Sequence, residues 1–183
     1  MKDGTKEIVT NNLILRKFKE EDYIEMYDNW ASNPHVATSA GWPVHTDINS
    51  TKNLIKMWVD EYNEDNVFNW IVVEKISNKA IGSITVVSKD LDNKVCEIGY
   101  NIGESWWNKG YGTEAIKNVI DYLFSLEMFD VITAACFVEN IASIRVLEKN
   151  EFKQEGILRN RIIYNNEIKS LRQFSLLREE YNK

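Results

Sequence analysis

The chain has 183 residues, a length that suits one domain with its own core, and its 44% hydrophobic and 27% charged content is that of an ordinary globular protein. A formal charge of −6 and a pI near 5.1 exclude nucleic-acid binding through a basic surface and lean toward cationic partners. The two cysteines, Cys96 and Cys136, lie far apart in apolar runs, which excludes a disulfide framework and reads as buried thiols in a reducing compartment.

The start, MKDGTKEIV, is too charged for a signal peptide, and no apolar run approaches the roughly 18 residues of a membrane span. A cytoplasmic location and no membrane partner are therefore expected. Residues 12–18 alternate as a strand, and EEDYIEMYDNWAS reads as a helix with Tyr23, Tyr27 and Trp30 on one face. Asn33-Pro34 is read as its stop. The stretch 34–46 holds both prolines and both histidines, lacks a period and is expected to be a loop. A second helix is expected from about Asn49, with Leu54, Ile55, Trp58, Val59 and Tyr62 on one face.

Three strand patterns follow, at 68–75, 80–88 and 94–102, separated by turn-like SNK and DLDN, and predict an antiparallel meander. TEAIKNVIDYLFSL then carries apolar residues at helical spacing. VITAACF (131–137) is a buried strand and NIASIRVLEKN a short helix. Two last strands, near 152–161 and 169–177, form a hairpin around Asn165-Asn166. The order β-α-α-β-β-β-α-β-α-β-β predicts a single α/β domain, residues 1–183, with a mixed sheet and helices on its faces.

The stretch ESWWNKGYGTEA (104–115) carries the strongest local signal. Gly110 and Gly112 lead straight into a helix, whose unpaired first N–H groups and positive dipole end suit a phosphate. A nucleoside-triphosphate loop would need Gly-Lys-Ser/Thr, which is absent. Gly-x-Gly-x-x-Ala fits a dinucleotide fingerprint, with Glu139 as a ribose ligand, but about seven residues separate strand from glycine and only one βαβ unit is present. Coenzyme A is the third candidate, and a plain loop with glycines for packing is the fourth.

Beyond that turn, EIGYNIGESWWNKGYGTEAI, ENIASIRVLEKNEFKQEG and SLLREEY occur in order over about the last half of the chain. With the LILRKF start and the VVEKISNKAIGSITV hairpin, they make the chain resemble the GNAT superfamily of acyl-CoA N-acyltransferases, most closely its RimJ/RimL-like branch. Trp107 departs from the Gln or Arg often found there, and Glu151 from the Gly that usually precedes the Phe. The resemblance implies a strongly twisted, mostly antiparallel sheet of about seven strands. A splayed parallel pair, here 94–102 and 131–137, would hold the pantetheine arm of acetyl-CoA.

By resemblance, a backbone N–H near Tyr100 faces the thioester oxygen. Backbone around Ile102 and Gly103 and the turn Asn108, Lys109, Gly110, Gly112 and Thr113 hold the cofactor. Asn140 and Ser143 fit an N-cap and a first helical turn on spacing alone. The resemblance adds that Asn140 contacts pantetheine and that Ser143 lies near the sulfur, where its hydroxyl would protonate the departing thiolate. Strand alternation puts Val95, Glu97, Gly99 and Asn101 on one face and Cys96, Ile98 and Tyr100 on the other. Glu97 is either a solvent-facing strand residue or, as the resemblance implies, the base, acting directly or through water.

His35 and His45 fall in the irregular 34–46 stretch with Trp42, and two histidines without further ligands do not make a metal site. Tyr164 is expected to pack in the last hairpin, and Trp106 and Trp107 to form a packing wedge. The resulting expectation is an acetyl-CoA-dependent N-acetyltransferase, monomer or homodimer. It would move the acetyl group directly to a primary amine, of a protein or peptide N-terminus or of a polyamine or drug. The rival readings are a noncatalytic acyl-CoA-binding regulatory domain and a dinucleotide oxidoreductase.

Overall fold

The computed structural model describes residues 4–181 and holds one eight-stranded sheet. Its strands are β1 (Ile8–Val9), β2 (Leu13–Arg16), β3 (Asn69–Glu74), β4 (Lys79–Asp90), β5 (Val95–Ile102), β6 (Val131–Phe137), β7 (Lys153–Tyr164) and β8 (Glu167–Leu177). They lie in the order β1-β2-β3-β4-β5-β6-β8-β7. Every pairing is antiparallel except β5 with β6, and between those two the chain crosses through a helix. This is the expected sheet with one more strand, the two-residue β1, which is too short to show a period.

β3, NWIVVE, is buried at every position because helices cover both faces of the sheet there. On one face Leu13, Leu15, Trp70, Ile84, Cys96 and Ile98 pack against α4 (Tyr111–Ser125) and α5 (Ile141–Lys149). α4 contributes Ala115, Ile116, Val119, Ile120, Leu123 and Phe124 at helical spacing. On the other face Ile71, Val73 and Ala80 meet Phe18, Met26, Trp30, Val36 and Ile55 from the segment between β2 and β3. Fully burying a Leu- or Phe-sized side chain contributes roughly 1.5–3 kcal/mol, so these two layers are the main stabilising force.

The first helical segment is less regular than its pattern suggests. α1 (Tyr23–Met26) runs into a π-helical turn at Tyr27–Ala31, which adds a residue to the turn and buries Trp30 and Ala31. The stretch 34–46 is not a loop throughout. Residues Pro34–Ala40 form α2, and α3 (Ile48–Glu61) follows. The Asn33 side chain accepts from the N–H groups of His35 and Val36, Pro34 occupies the first turn, and Gly41 closes the helix in the left-handed conformation at φ 75°. The pair read as a stop is therefore an N-cap followed by the proline that starts a new helix.

The last hairpin closes where expected. Asn165 and Asn166 have φ of 49° and 62°, the pair of positive values that a two-residue turn between twisted strands requires and that asparagine tolerates. Glu151 has φ 65°, which explains why that turn favours glycine in the resembling family. α6 (Arg178–Tyr181) follows β8, and Arg178 donates from Nε to Asp130 Oδ1 at 2.9 Å.

Candidate active site

The parallel pair β5–β6 is joined for three residues only: Val95 with Val131, Cys96 with Ile132, and Glu97 with Thr133. β5 stays paired with β4 as far as Ile102, and β6 with β8 as far as Phe137. Past Glu97 the two strands therefore part. Backbone N–H and C=O groups on the edge of β5 from 98 to 102 face the gap, where an extended ligand could pair with them as an added strand would.

Two hydroxyls meet beside that gap, one from β5 and one from α5. Tyr100 Oη lies 2.6 Å from Ser143 Oγ and donates to the Ser143 carbonyl at 3.2 Å. Ser143 stands in the first turn of α5, and its N–H donates to Asn140 Oδ1 at 3.0 Å. Asn140 Nδ2 donates to the Ser39 carbonyl at 2.9 Å, so both ends of this amide are occupied in capping α5 and tying it to α2. Burial raises the Tyr100 hydroxyl well above its usual value, against the lowering effect of Ser143. Burial likewise raises the Cys136 thiol, against lowering by Ser143 and Arg172. Tyr100 and Cys136 are thus neutral, protonated groups at pH 7, gathered around Ser143. Sequence reasoning put Tyr100 on the core face and missed its hydroxyl, because alternation says nothing of a partner 43 residues away.

The glycine turn lies at the end of the same gap. Asn108 and Gly110 have φ of 61° and 84°, and α4 begins directly after Gly110. A Cβ placed on Gly112 would meet only Ile102 and Val146, at 3.8 Å, so this position opens onto the space between β5 and α5. Beside the turn is a cavity of about 630 Å³ whose lining includes Thr10, Gly110, Thr113, Glu114, Lys117 and Lys149, two lysines beside one carboxylate. Lys109 is exposed. Ile102 and Gly103 are more occupied than expected. The Ile102 carbonyl accepts the Trp107 indole N–H at 2.6 Å, and the Gly103 N–H donates to the Ile81 carbonyl at 2.7 Å. Gly103 is needed for space, since a Cβ there would stand 2.5 Å from the Asn29 carbonyl oxygen.

Glu97 is half-buried on the face opposite Cys96 and Ile98, at the last paired position before the strands part. Asn101 points to the same side and donates from Nδ2 to Ser83 Oγ at 2.8 Å. α2 and the segment after it cover this side. Glu104 accepts from Asn33 Nδ2 at 2.8 Å and faces His35 Nδ1 at 2.9 Å, and these partners, His35 first, hold its carboxyl below the usual range. His45 contacts Thr51 Oγ1 at 2.7 Å, and burial lowers its pKa, leaving it neutral at pH 7. The Tyr164 hydroxyl donates to the Trp42 carbonyl at 3.1 Å and its ring packs on Phe137, as a packing residue should. Among the described residues no group of His, Cys, Asp and Glu could hold a metal, and no helix is long and apolar enough to cross a membrane.

A twisted sheet opened at one parallel pair, with a phosphate-suited helix start at the end of the opening, defines an acyl-CoA-dependent acyltransferase. The chain belongs to the GNAT acetyltransferase family, whose domain model matches residues 12–153. It is 31% identical over 174 residues to the uncharacterized N-acetyltransferase p20 of Bacillus licheniformis, covering 95% of this chain and 97% of that one. Among solved structures, a GNAT-family acetyltransferase from Bacillus anthracis superposes with a TM-score of 0.82 at 26% identity, over 95% of this chain and 99% of that one. RimL, a ribosomal L7/L12 alpha-N-protein acetyltransferase solved with coenzyme A, shares the fold with a TM-score of 0.84 at 19% identity, over 94% of this chain and 98% of that one. The chain is a GNAT N-acetyltransferase that uses acetyl-CoA as co-substrate.

Proposed function

We propose that this enzyme transfers the acetyl group directly to a cationic primary amine, with a protein or peptide N-terminus as the acceptor class. The observation that carries the chemistry is the Tyr100–Ser143 contact of 2.6 Å beside the opened strands. With the pantetheine arm in the gap, the amine nitrogen attacks the thioester carbonyl carbon and the C–S bond breaks. Before the attack the ammonium gives one proton to Glu97, directly or through water, which leaves a neutral nucleophile. Ser143 gives its hydroxyl proton to the departing thiolate and regains one from Tyr100, and the second nitrogen proton, shed as the amide forms, restores the Tyr100 hydroxyl through solvent. The raised pKa of Cys136 keeps it a poor nucleophile, which favours direct transfer over an acyl-cysteine.

For the acceptor, the support is charge and kinship. A net charge of −6, with Glu97 and Glu104 on the α2 side, raises the local concentration of a cation. RimL, which shares the fold, acts on a ribosomal-protein N-terminus by name. The steering must weaken as salt shortens the Debye length from about 10 Å at 0.1 M to about 3 Å at 1 M. Acceptor KM should therefore rise with salt, while the KM for anionic acetyl-CoA rises no faster. An acceptor KM indifferent to salt would remove the electrostatic part of this reading.

A further inference from the structure

Glu74 closes β3 with a buried carboxylate, 6% accessible, that has no part in the transfer just described. Both oxygens are engaged. Ser77 donates to Oε2, and Tyr111, the residue between the two glycines of the turn, donates its phenolic O–H to Oε1 at 2.6 Å. Ser77 first and Tyr111 next hold the carboxyl below its usual range, with the Trp106 indole and the positive Lys109 adding to them. Tyr111, the first residue of α4, is thus tied to an acid at the end of β3. On the other flank Glu114, one turn into α4, accepts from Thr10 Oγ1 at 2.6 Å, from the Asn12 N–H at 2.8 Å and from Asn12 Nδ2 at 2.9 Å.

A carboxylate beside a turn that seats a pyrophosphate opposes the ligand's charge, so it needs an offsetting role. The turn itself explains that role. Asn108 and Gly110 both adopt positive φ, and nothing packs within 4 Å of where a Gly110 Cβ would be, so the turn is anchored through the residues that flank it, Trp107 and Tyr111 among them. We propose that Glu74 is a positioning residue for acetyl-CoA. Through Tyr111 it sets the direction in which the first N–H groups of α4 point. Ordering the turn before the ligand arrives lowers the entropy cost of binding. The inference rests on the reading that residues 108–113 seat the pyrophosphate.

The test compares Tyr111→Phe, Glu74→Gln, Glu74→Ala, the double variant Tyr111→Phe/Glu74→Ala, and Gly112→Val by acetyl-CoA calorimetry and steady-state kinetics. Tyr111→Phe, which removes one oxygen only, should weaken acetyl-CoA binding about tenfold, with KM rising more than kcat falls. Glu74→Ala should do at least as much, and Glu74→Gln, which keeps a carbonyl for the Tyr111 hydroxyl, should recover part of the loss. The double variant should be little worse than Glu74→Ala, because both remove one contact. Acetyl-CoA affinity within about twofold of the parent in folded Tyr111→Phe and Glu74→Ala would overturn the proposal, and so would fully additive losses. If Gly112→Val alone loses affinity, the turn is the seat and only the positioning role falls. If Gly112→Val keeps it, the pyrophosphate reading falls as well.

Discussion

The hydroxyls of Tyr100 and Ser143 meet at 2.6 Å between β5 and α5, beyond the point where β5 and β6 separate at Glu97 and Thr133. One comes from β5 and the other from α5. Removing either should break a single proton path. Ser143→Ala and Tyr100→Phe should each lower kcat by about 10- to 10⁴-fold with much smaller effects on acetyl-CoA affinity. The double variant should be little worse than the weaker single one, since members of one catalytic unit are not additive. Stopped-flow detection of released thiol measures this, and parental rates in both single variants would remove the proposed path.

Glu97 tests the other half of the proton transfer. Glu97→Gln keeps the size of the side chain but cannot accept the amine proton. Turnover should fall about 10- to 10⁴-fold, and most at low pH, where the amine arrives protonated. A pH–rate profile parallel to the parent's would leave Glu97 as a strand residue without a chemical part.

The glycines of the site should separate fold from binding. Gly103→Ala would push a Cβ to 2.5 Å from the Asn29 carbonyl, a backbone atom that cannot step aside cheaply. It should cost about 1–3 kcal/mol, the scale of overpacking. A Cβ on Gly112 meets its neighbours at ordinary distance, so Gly112→Val should stay folded while losing acetyl-CoA affinity. Thermal melts read the first effect and calorimetry the second.

Acid should loosen the grip on α4 in a defined window. The folded-state pKa values of Glu74 and Glu114 both lie below the ordinary 4.5. For Glu74 the cause is the bonds from Ser77 and Tyr111, and for Glu114 the bonds from Thr10 and Asn12 outweigh the raising effect of burial. A lowered carboxyl pKa stabilises the fold fully above the unfolded value and loses that contribution as pH falls through the folded one. Glu74→Gln should thus be less stable than the parent at pH 7, with the gap closing below about pH 4.5. Urea midpoints at pH 7 and pH 3 show whether it does.

Much of the fold was legible in the sequence because its periods were clean. α4 places its apolar residues at helical spacing, and the meander of β3, β4 and β5 shows strands separated by turn residues. α2 was not legible, because Asn33-Pro34 is the same dipeptide whether it ends one helix or starts the next. Gly41 at its far end was the available clue. The candidate site could be named in part, the glycine turn from its local pattern and Asn140 with Ser143 from the family resemblance. It was not legible where it depends on pairing. Tyr100 meets a residue 43 positions on, and Glu74 meets Tyr111 37 positions on, and no spacing rule reaches that far.

The most direct test of the account is an acceptor panel with acetyl-CoA, read by free-thiol release and by mass spectrometry of the products. The panel should include peptides with free and blocked N-termini, polyamines, aminoglycoside-type amines and free amino acids. The account predicts thiol release coupled to one added acetyl group on a primary amine, greatest for peptides with a free N-terminus and absent for blocked ones. A free amino acid or other neutral or anionic acceptor outcompeting every peptide and polyamine would contradict it.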